Sequence, residues 1–485
     1  MTHDLLIIGG GINGCAIARE AALLGLKVLL VERDDLASHT SSASTKLIHG
    51  GLRYLEQYEF KLVAEALAER ERLVAIAPHL IHPMAFVLPH EHQLRPWWMI
   101  RLGLVLYDRI GGKSTLAKSR GLRAADIAYR APLKRPGKGF VYSDAWVDDS
   151  RLTLLNAMDA AACGATVQTR TALVSARREG ELWRAELSDG HGVTARAIVN
   201  AAGPWVASTL ARLGVNAAAG VRLVKGSHIV VPRLYDGDHA YILQQPDRRI
   251  VFAIPYLDRF TEIGTTDVPV DAPEDAVIDG DEIDYLCAAV NRYFTRQITP
   301  ADVTSTWSGV RPLYDDGADA ASEITRDYVL ELDTSGPPLL SVFGGKITTA
   351  RHLAEEAMGK LASTIGTTVR PVSRTRPLPG GDIGRFDTFL ADMRRRYPFL
   401  GDARSNRMAR AYGAMLIEML DGIDSEAAMG RDFGHGLTEV ELRWMRTREW
   451  AHDAADALDR RSKLGLVMSP AQRAQVDAWF NSAPL

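Results

Sequence analysis

The sequence predicts an α/β fold followed by an all-helical C-terminal region. Three observations lead there. Residues 4–32 run as an apolar stretch, a glycine-rich turn, an Ala/Leu-rich helix, a second apolar stretch and an acid, the order that a βαβ unit of a Rossmann-like sheet requires. The strand–glycine–helix pattern recurs at Leu339–Thr348. Beyond the Pro- and Gly-rich RTRPLPGGDIG of residues 374–384, charge density rises and strand-like alternation stops, which marks a boundary and a separate helical domain.

Composition narrows the class. The 485 residues are 46% hydrophobic and 24% charged, ordinary for a globular chain and enough for about three domains. A net charge of −3 leaves no global electrostatic footprint for nucleic acid. The three cysteines, Cys15, Cys163 and Cys287, form neither a disulfide framework nor a metal motif and fit a reducing compartment. The N-terminal run has no basic n-region, and no apolar stretch reaches the roughly 18 residues of a spanning helix. The expectation is a soluble or membrane-surface protein of the cytoplasmic side.

Each element follows from its own pattern. Asp4–Ile8 and Lys27–Val31 read as buried strands around a helix over Cys15–Leu24, with Gly25 near its C-cap. Glu56–Ala77 reads as one helix ended before Pro78. Leu152–Ala162 is a second helix. Thr166–Val174, Trp183–Leu187 and Val193–Val199 read as a meander, the last two joined by a Ser188-Asp189-Gly190 turn. Strands dominate from Val221 to Arg311, with a helix near Glu282–Phe294. Leu339–Phe343 is a further strand, and a helix begins near Thr348.

The chemistry sits in the glycine and hydroxyl motifs. In Gly9-x-Gly11-x-x-Gly14 the first glycine permits a tight turn, the second lets backbone approach a pyrophosphate, and the third lets helix pack on strand. The helix N-terminus offers N–H groups to an anion. Glu32, 18 positions after Gly14, is placed for a ribose. This defines dinucleotide binding without deciding between FAD and NAD. The cluster Thr40–Thr45 reads either as hydroxyls that open a helix toward phosphate and flavin edges, or as a solvated, N-capped loop. Asn200–Trp205, with small residues at a strand end, and Gly344–Thr349 allow close backbone approach to a ligand or form mere turns.

GGGINGCAIA, TSSASTKLIHGGLRYLE, WVDDSRL, NAAGPW, KGSHIVVP, IGTTD, SGVRPL, ITRDY and FGGKITTAR occur in order from about residue 3. Together with EVELRWMRTREWAHDAADALDRRSKLGL near the C-terminus, they resemble the FAD-dependent glycerol-3-phosphate dehydrogenases of the aerobic respiratory type. The resemblance implies a D-amino-acid-oxidase-like architecture. Its FAD domain would be assembled from residues 1–75, 141–215 and 316–372. An interleaved mixed-sheet substrate domain would occupy 76–140 and 216–315, with a helical cap at 373–485. It places FAD on Gly9, Gly11, Asn13, Gly14 and Glu32, and on Ser41, Ser42, Ser44, Lys46, His49 and Gly50 of the hydroxyl segment. Ala172, Ala202, Gly203, Gly345, Lys346, Ile347 and Thr348 complete the expected cofactor set.

The implied substrate is sn-glycerol 3-phosphate, whose phosphate needs fixed cations, preferably guanidiniums. Arg53, Arg311, Arg326 and Lys346 fall in the matching motifs, with Tyr54 and Thr265 as further contacts. Arg311, set between Val310 and Pro312, is unusual for a surface arginine. Oxidation needs a base for the hydroxyl proton while hydride leaves for the flavin. His49 and His228 are the candidates, and the sequence does not rank them. The resemblance also implies a membrane quinone as acceptor, peripheral attachment at the cytoplasmic face of the inner membrane, no metal, and a homodimer among the allowed assemblies.

Other features read as bland or ambiguous. Asp148-Asp149 and Asp315-Asp316 are expected to be solvated turns and caps, and Arg394–Arg396 a solvated helix face. Residues 94–114, LRPWWMIRLGLVLYDRIGGKS, fit either a membrane-interface helix or one packed on the protein's own sheet. Three rival functions stand beside the dehydrogenase: an oxidase using oxygen, a dehydrogenase of a longer polyol phosphate such as erythritol phosphate, and a flavin-binding redox sensor.

Overall fold

A computed structural model describes residues 2–90, 95–215, 220–315 and 327–482. Two large sheets organise them. In the first, β17 (Val329–Asp333), β18 (Leu339–Phe343), β10 (Gly192–Asn200), β1 (Thr2–Ile8), β2 (Val28–Val31) and β7 (Thr166–Gln168) lie side by side. The strands from β18 to β7 run parallel, and β17 is antiparallel to β18. The strand pair β8 (Leu173–Glu179) and β9 (Leu182–Leu187) folds back on β10 as a meander. The strands of this sheet alternate between two apolar cores. Leu5, Ile7, Ala197 and Val199 pack against α1 (Ile12–Leu23), α5 (Asp149–Ala162) and α8 (Ala350–Ile365). Leu6, Ile8, Leu29 and Ile198 face Trp183 of the meander and α6 (Val206–Arg212). Burial on both faces is why β1 and β2 read as unbroken apolar runs.

The second sheet is mixed. Its path is β15 (Val268–Val270), β11 (Gly220–Pro232), β14 (Phe260–Gly264), β13 (Ile250–Tyr256), β12 (Ala240–Gln244), β4 (Ile81–Pro89), β6 (Gly139–Val147) and β3 (Leu47–Ile48). The long β16 (Ser305–Asp315) pairs with β11 along its length, and β5 (Arg120–Gly121) with β6. One face, through Ile229, Val231 and Ile263, is covered by α7 (Gly280–Asn291). The other is covered in part by α2 (Phe60–Ile76) and α3 (Trp97–Ile110), which bring Leu67 and Leu104 onto Phe86 and Phe140. The one-turn α4 (Ile127–Arg130) sits beside this sheet. Both β3 and β6 hydrogen-bond into it, so the chain crosses between the two sheets more often than hydrophobic runs alone reveal.

The C-terminal region builds its own core from α9 (Phe386–Arg396), α10 (Gly401–Tyr412), α11 (Met415–Met419), α12 (Glu439–Arg448) and α13 (Pro470–Ser482). It is helical apart from a short pairing of β19 (Asp432–Gly434) with β20 (Leu437–Thr438). Its Arg461 pairs with the buried Asp35, and its Glu449 with Arg151 of α5 at 2.9 Å.

Two local expectations change. Glu56–Ala77 is not one helix. A 3-10 segment over Leu52–Gln57 ends at Tyr58, whose φ of 60° breaks the helical path, and α2 starts at Phe60. The hydroxyl cluster does not open an α-helix either. Thr40–Ser42 is a single 3-10 turn that runs into β3, because Lys46 turns left-handed at φ 53° and Ile48 joins the second sheet.

Candidate active site

The first half of the site is the crossing of β1 and α1. Gly9 has φ 110°, and a Cβ there would lie 2.5 Å from the carbonyl oxygen of Ala201, just past β10. A Cβ on Gly14 would lie 2.0 Å from the Gly9 carbonyl oxygen. Only glycine therefore allows the turn and the helix to close on each other. The Gly10 N–H donates to Glu32 Oε2 at 2.6 Å, and the Asp34 N–H donates to Oε1 at 2.9 Å. Burial pushes the Glu32 carboxyl up, against those two hydrogen bonds. The Ile12 N–H at the start of α1 donates to Ser41 Oγ at 2.9 Å.

A cleft opens over this crossing. Gly9, Gly11, Asn13, Glu32 and Ser41 line it, and Ala172, Ala202, Gly203 and Gly345 close its other sides. Gly14 packs beneath. The Asn13 amide donates to the Gly344 carbonyl at 3.0 Å, while its Oδ1 is buried without a partner. The Asn200–Trp205 run brings a ring as well as backbone to the lining, and Arg33 and His39, which carry no motif of their own, join it. Trp205 carries the Arg33 guanidinium 4.0 Å from its ring centre and His39 at 4.7 Å, an aromatic and cationic wall suited to a base or a pyrophosphate.

The cleft fits the adenosine diphosphate part of FAD. The glycine turn, the start of α1 and the aligned carboxylate form a cradle, and the turn closes this tightly only because Gly9 puts no Cβ against the Ala201 backbone. FAD, when bound, supplies the acceptor for a hydride and its electron pair.

The second half of the site lies on one face of the second sheet. Register sets His228 opposite Gly264 and Trp307, and Val224 opposite Arg311. Side chains alternate along strands, so His228, Glu262, Trp307 and Arg311 share a face with Phe252, which sits opposite Gly264 on β13. Glycines clear space among them. A Cβ on Gly264 would meet the His228 ring at 2.0 Å, and one on Gly226 would meet Arg311 Nη2 at 2.3 Å. Arg311 pairs with Asp267 and donates to Thr265 Oγ1 at 3.3 Å. Burial, with the charges of Lys46 and Arg311, keeps His228 well below its ordinary value.

The hydroxyl segment covers this face. Thr40 Oγ1 donates to the Val310 carbonyl at 2.8 Å, Trp307 Nε1 to the Ser44 carbonyl at 3.3 Å, and Thr45 Oγ1 lies 2.9 Å from His228 Nε2. His49 stands edge-on to Phe252 at 6.4 Å between ring centres, and its N–H donates to Thr348 Oγ1 at 3.3 Å. Burial, then Lys346 and Arg70, push His49 down to about 4. Lys346 Nζ sits 3.9 Å from the centre of the Tyr54 ring, beside Arg53 on the 3-10 segment. The Gly50 N–H donates to Tyr107 Oη at 2.8 Å, and Tyr107 hydrogen-bonds Asp144, the partner of Arg70.

Not every expected cofactor contact faces the cleft. Lys46 is fully buried and bonds both oxygens of Asp149 at 3.0 Å, and Ser44 Oγ donates to the same carboxylate at 2.7 Å. Lys46 and Ser44 thus brace the segment from behind. Ser42 Oγ donates to the His39 carbonyl at 3.1 Å. Ile347 and Thr348 form the 3-10 turn that leads into α8. Asp148 is a cap, as expected, accepting from the Arg151 N–H at 3.1 Å, but Asp149 is no solvated turn. Two adjacent acids give no sequence signal for such a difference; the nearest hint is a lysine inside an otherwise uncharged hydroxyl run. Arg326 lies outside the described residues, as does Asp316.

Two sheets, with a dinucleotide cradle on one and a cationic, histidine-bearing face on the other, define a flavin-dependent oxidoreductase. A family profile described as "DAO: FAD dependent oxidoreductase" matches residues 4–351. The chain belongs to that family. It is 51% identical over 99% of its length to a glycerol-3-phosphate dehydrogenase of Pseudomonas aeruginosa, covering 95% of that protein. It is 48% identical to the aerobic glycerol-3-phosphate dehydrogenase of Escherichia coli, covering 99% of this chain and 97% of that one. A D-erythritol 1-phosphate dehydrogenase of Brucella abortus is also 48% identical, over 100% of this chain and 99% of that protein. Among solved structures, the FAD complex of a Bacillus halodurans glycerol-3-phosphate dehydrogenase superposes with a TM-score of 0.75 at 26% identity, covering 99% of this chain and 94% of that one.

Proposed function

We propose that the protein oxidises the secondary alcohol of sn-glycerol 3-phosphate to dihydroxyacetone phosphate and passes the electrons to a membrane quinone. The observation that carries this reading is the sheet face on which Gly264 makes way for the His228 ring and Gly226 for Arg311, with Thr265 bonded to Arg311. Arg311, Arg53 and Lys346 supply fixed positive charge for a phosphate dianion. Thr265 holds the Arg311 fork in place. His228 is neutral at pH 7, since burial holds its protonation far below its usual range, and the neutral imidazole is the form that takes a proton. The hydroxyl O–H bond breaks toward His228 as the C2–H bond gives up its electron pair, leaving the ketone. His49, beside Phe252 and Thr348 at the junction of the sheets, orients substrate and cofactor.

The tests are anaerobic. Adding sn-glycerol 3-phosphate to the purified holoprotein bleaches the oxidised flavin band if the reading holds; an unchanged band rejects it. D-Erythritol 1-phosphate belongs in the same titration, because the Brucella relative matches as well as the Escherichia one. Faster bleaching by the longer substrate would make that polyol phosphate the true one. Turnover with a quinone analogue against peroxide yield in air separates the dehydrogenase from an oxidase.

Membrane attachment is part of the same proposal. Among the described residues no helix is long and apolar enough to cross a membrane. Helix α3 packs on the protein's own sheet through one face and leaves the other exposed. Ile100, Leu104 and Tyr107 are buried on the sheet, while Trp98 is 66% and Leu102 60% exposed, with Met99 and Leu106 beside them. That outer stripe suits the interface of a bilayer.

A further inference from the structure

We propose that Glu262 is the positioning residue of the proton-transfer step: its ionised carboxylate enables His228 to take the substrate's proton. The inference rests on His228 being the base. Glu262 lies on β14 with no exposed surface, neither carboxylate oxygen has a hydrogen-bond partner among the described residues, and Oε1 is 3.9 Å from His228 Nε2. Every other buried carboxylate at this junction is tied down: Asp149 by Lys46 and Ser44, Asp144 by Arg70 and Tyr107, Asp35 by Arg461. A buried orphan beside an imidazole is costly unless it works.

The environment defines how it works. Around Glu262 stand His228 and Trp307 from β11 and β16, Tyr256 from β13, the Lys46–Asp149 pair behind Thr45, and Lys463 from the C-terminal region. Burial pushes its carboxyl up to about 8, against the pull of Lys46. With Glu262 protonated, a proton gained by His228 leaves an uncompensated positive charge in a dry site. With Glu262 ionised, the same proton produces a neutral imidazolium–carboxylate pair, the arrangement that lets a carboxylate stabilise a histidine base. The hydroxyl proton goes to His228, the C2 hydrogen leaves with both electrons of its bond as hydride for the cofactor, and Glu262 keeps its charge throughout.

The experiment is the pH profile of flavin reduction by sn-glycerol 3-phosphate in the holoenzyme, followed anaerobically for wild type, Glu262→Gln, Glu262→Asp and His228→Gln. The wild-type rate rises with pH through an apparent value near 8. Glu262→Gln, similar in size and still binding flavin, slows reduction on the order of tenfold or more and loses that rise. Glu262→Asp keeps a rise at a shifted pH. A Glu262→Gln profile that superposes on wild type overturns the proposal. Failure of the underlying reading looks different: His228→Gln then reduces flavin at the wild-type rate. A second readout needs no turnover. In protein labelled with 15N-histidine, the His228 ring signals, identified by their loss in His228→Gln, shift as Glu262 ionises near pH 8. Wild-type signals that stay still across that range also overturn it.

Discussion

Arg311 carries the sharpest expectation at the scale of single residues. It is held by Asp267 and Thr265 on the sheet face that also carries His228. Arg311→Ala should lower kcat/KM for sn-glycerol 3-phosphate by roughly 100-fold, the worth of about two charge-assisted hydrogen bonds, while the flavin spectrum stays intact. Arg311→Lys should recover only part of this, because an ammonium cannot replace the guanidinium fork. The Lys46–Asp149 pair makes a different prediction, about stability. Removing Lys46 alone strands a buried carboxylate, so Lys46→Met should cost on the order of 3–5 kcal/mol in denaturant unfolding. Its pH signature follows from Asp149. Burial would raise that carboxyl, but Lys46, Lys463 and Ser44 hold it below its ordinary value. A depressed carboxylate stabilises the fold above its unfolded value, about 3.9, and the stability is lost as pH falls through the lower folded value. Wild type should therefore lose stability in that acid window, and Asp149→Asn should show a flatter acid limb from a lower plateau.

Elements add geometry that no side chain holds alone. At the crossing of β1 and α1, Gly9→Ala would combine a left-handed φ of 110° with a Cβ 2.5 Å from a carbonyl oxygen. The variant should purify without flavin, read directly from its absorbance, and melt below wild type. Helix α3 works on two faces. Trp98→Ser with Leu102→Ser should weaken sedimentation with lipid vesicles and leave flavin reduction unchanged, because the changed side chains point away from the sheet. Equal vesicle sedimentation of wild type and double variant would overturn the proposed role of this stripe. The glycine turn was legible from sequence because its motif compresses a strand, a turn and a helix into adjacent residues. The hydroxyl segment was not: propensity favours capping and helix opening there, but tertiary pairing with the second sheet draws residues 47–48 into a strand.

At the scale of the whole molecule, the C-terminal region is fastened by charge. Arg460 and Arg461 meet the buried Asp35 just past β2, Glu449 meets Arg151, and Lys463 reaches Ser150 beside the Lys46–Asp149 pair. Arg461→Met should leave Asp35 with Arg460 alone and lower the melting temperature by several degrees. The sequence by itself determined the dinucleotide unit, the helical tail and the family resemblance, and it named the cationic and histidine candidates, because these reside in contiguous motifs with steric or chemical meaning of their own. The tertiary structure decided which candidates meet. It turned Ser44 and Lys46 inward to Asp149, brought Trp205 to the cleft, and set an orphaned Glu262 beside His228. Those pairings depend on strand register and on the crossing of two sheets. Residues 34 positions apart in the chain, such as His228 and Glu262, become neighbours only when β11 and β14 align.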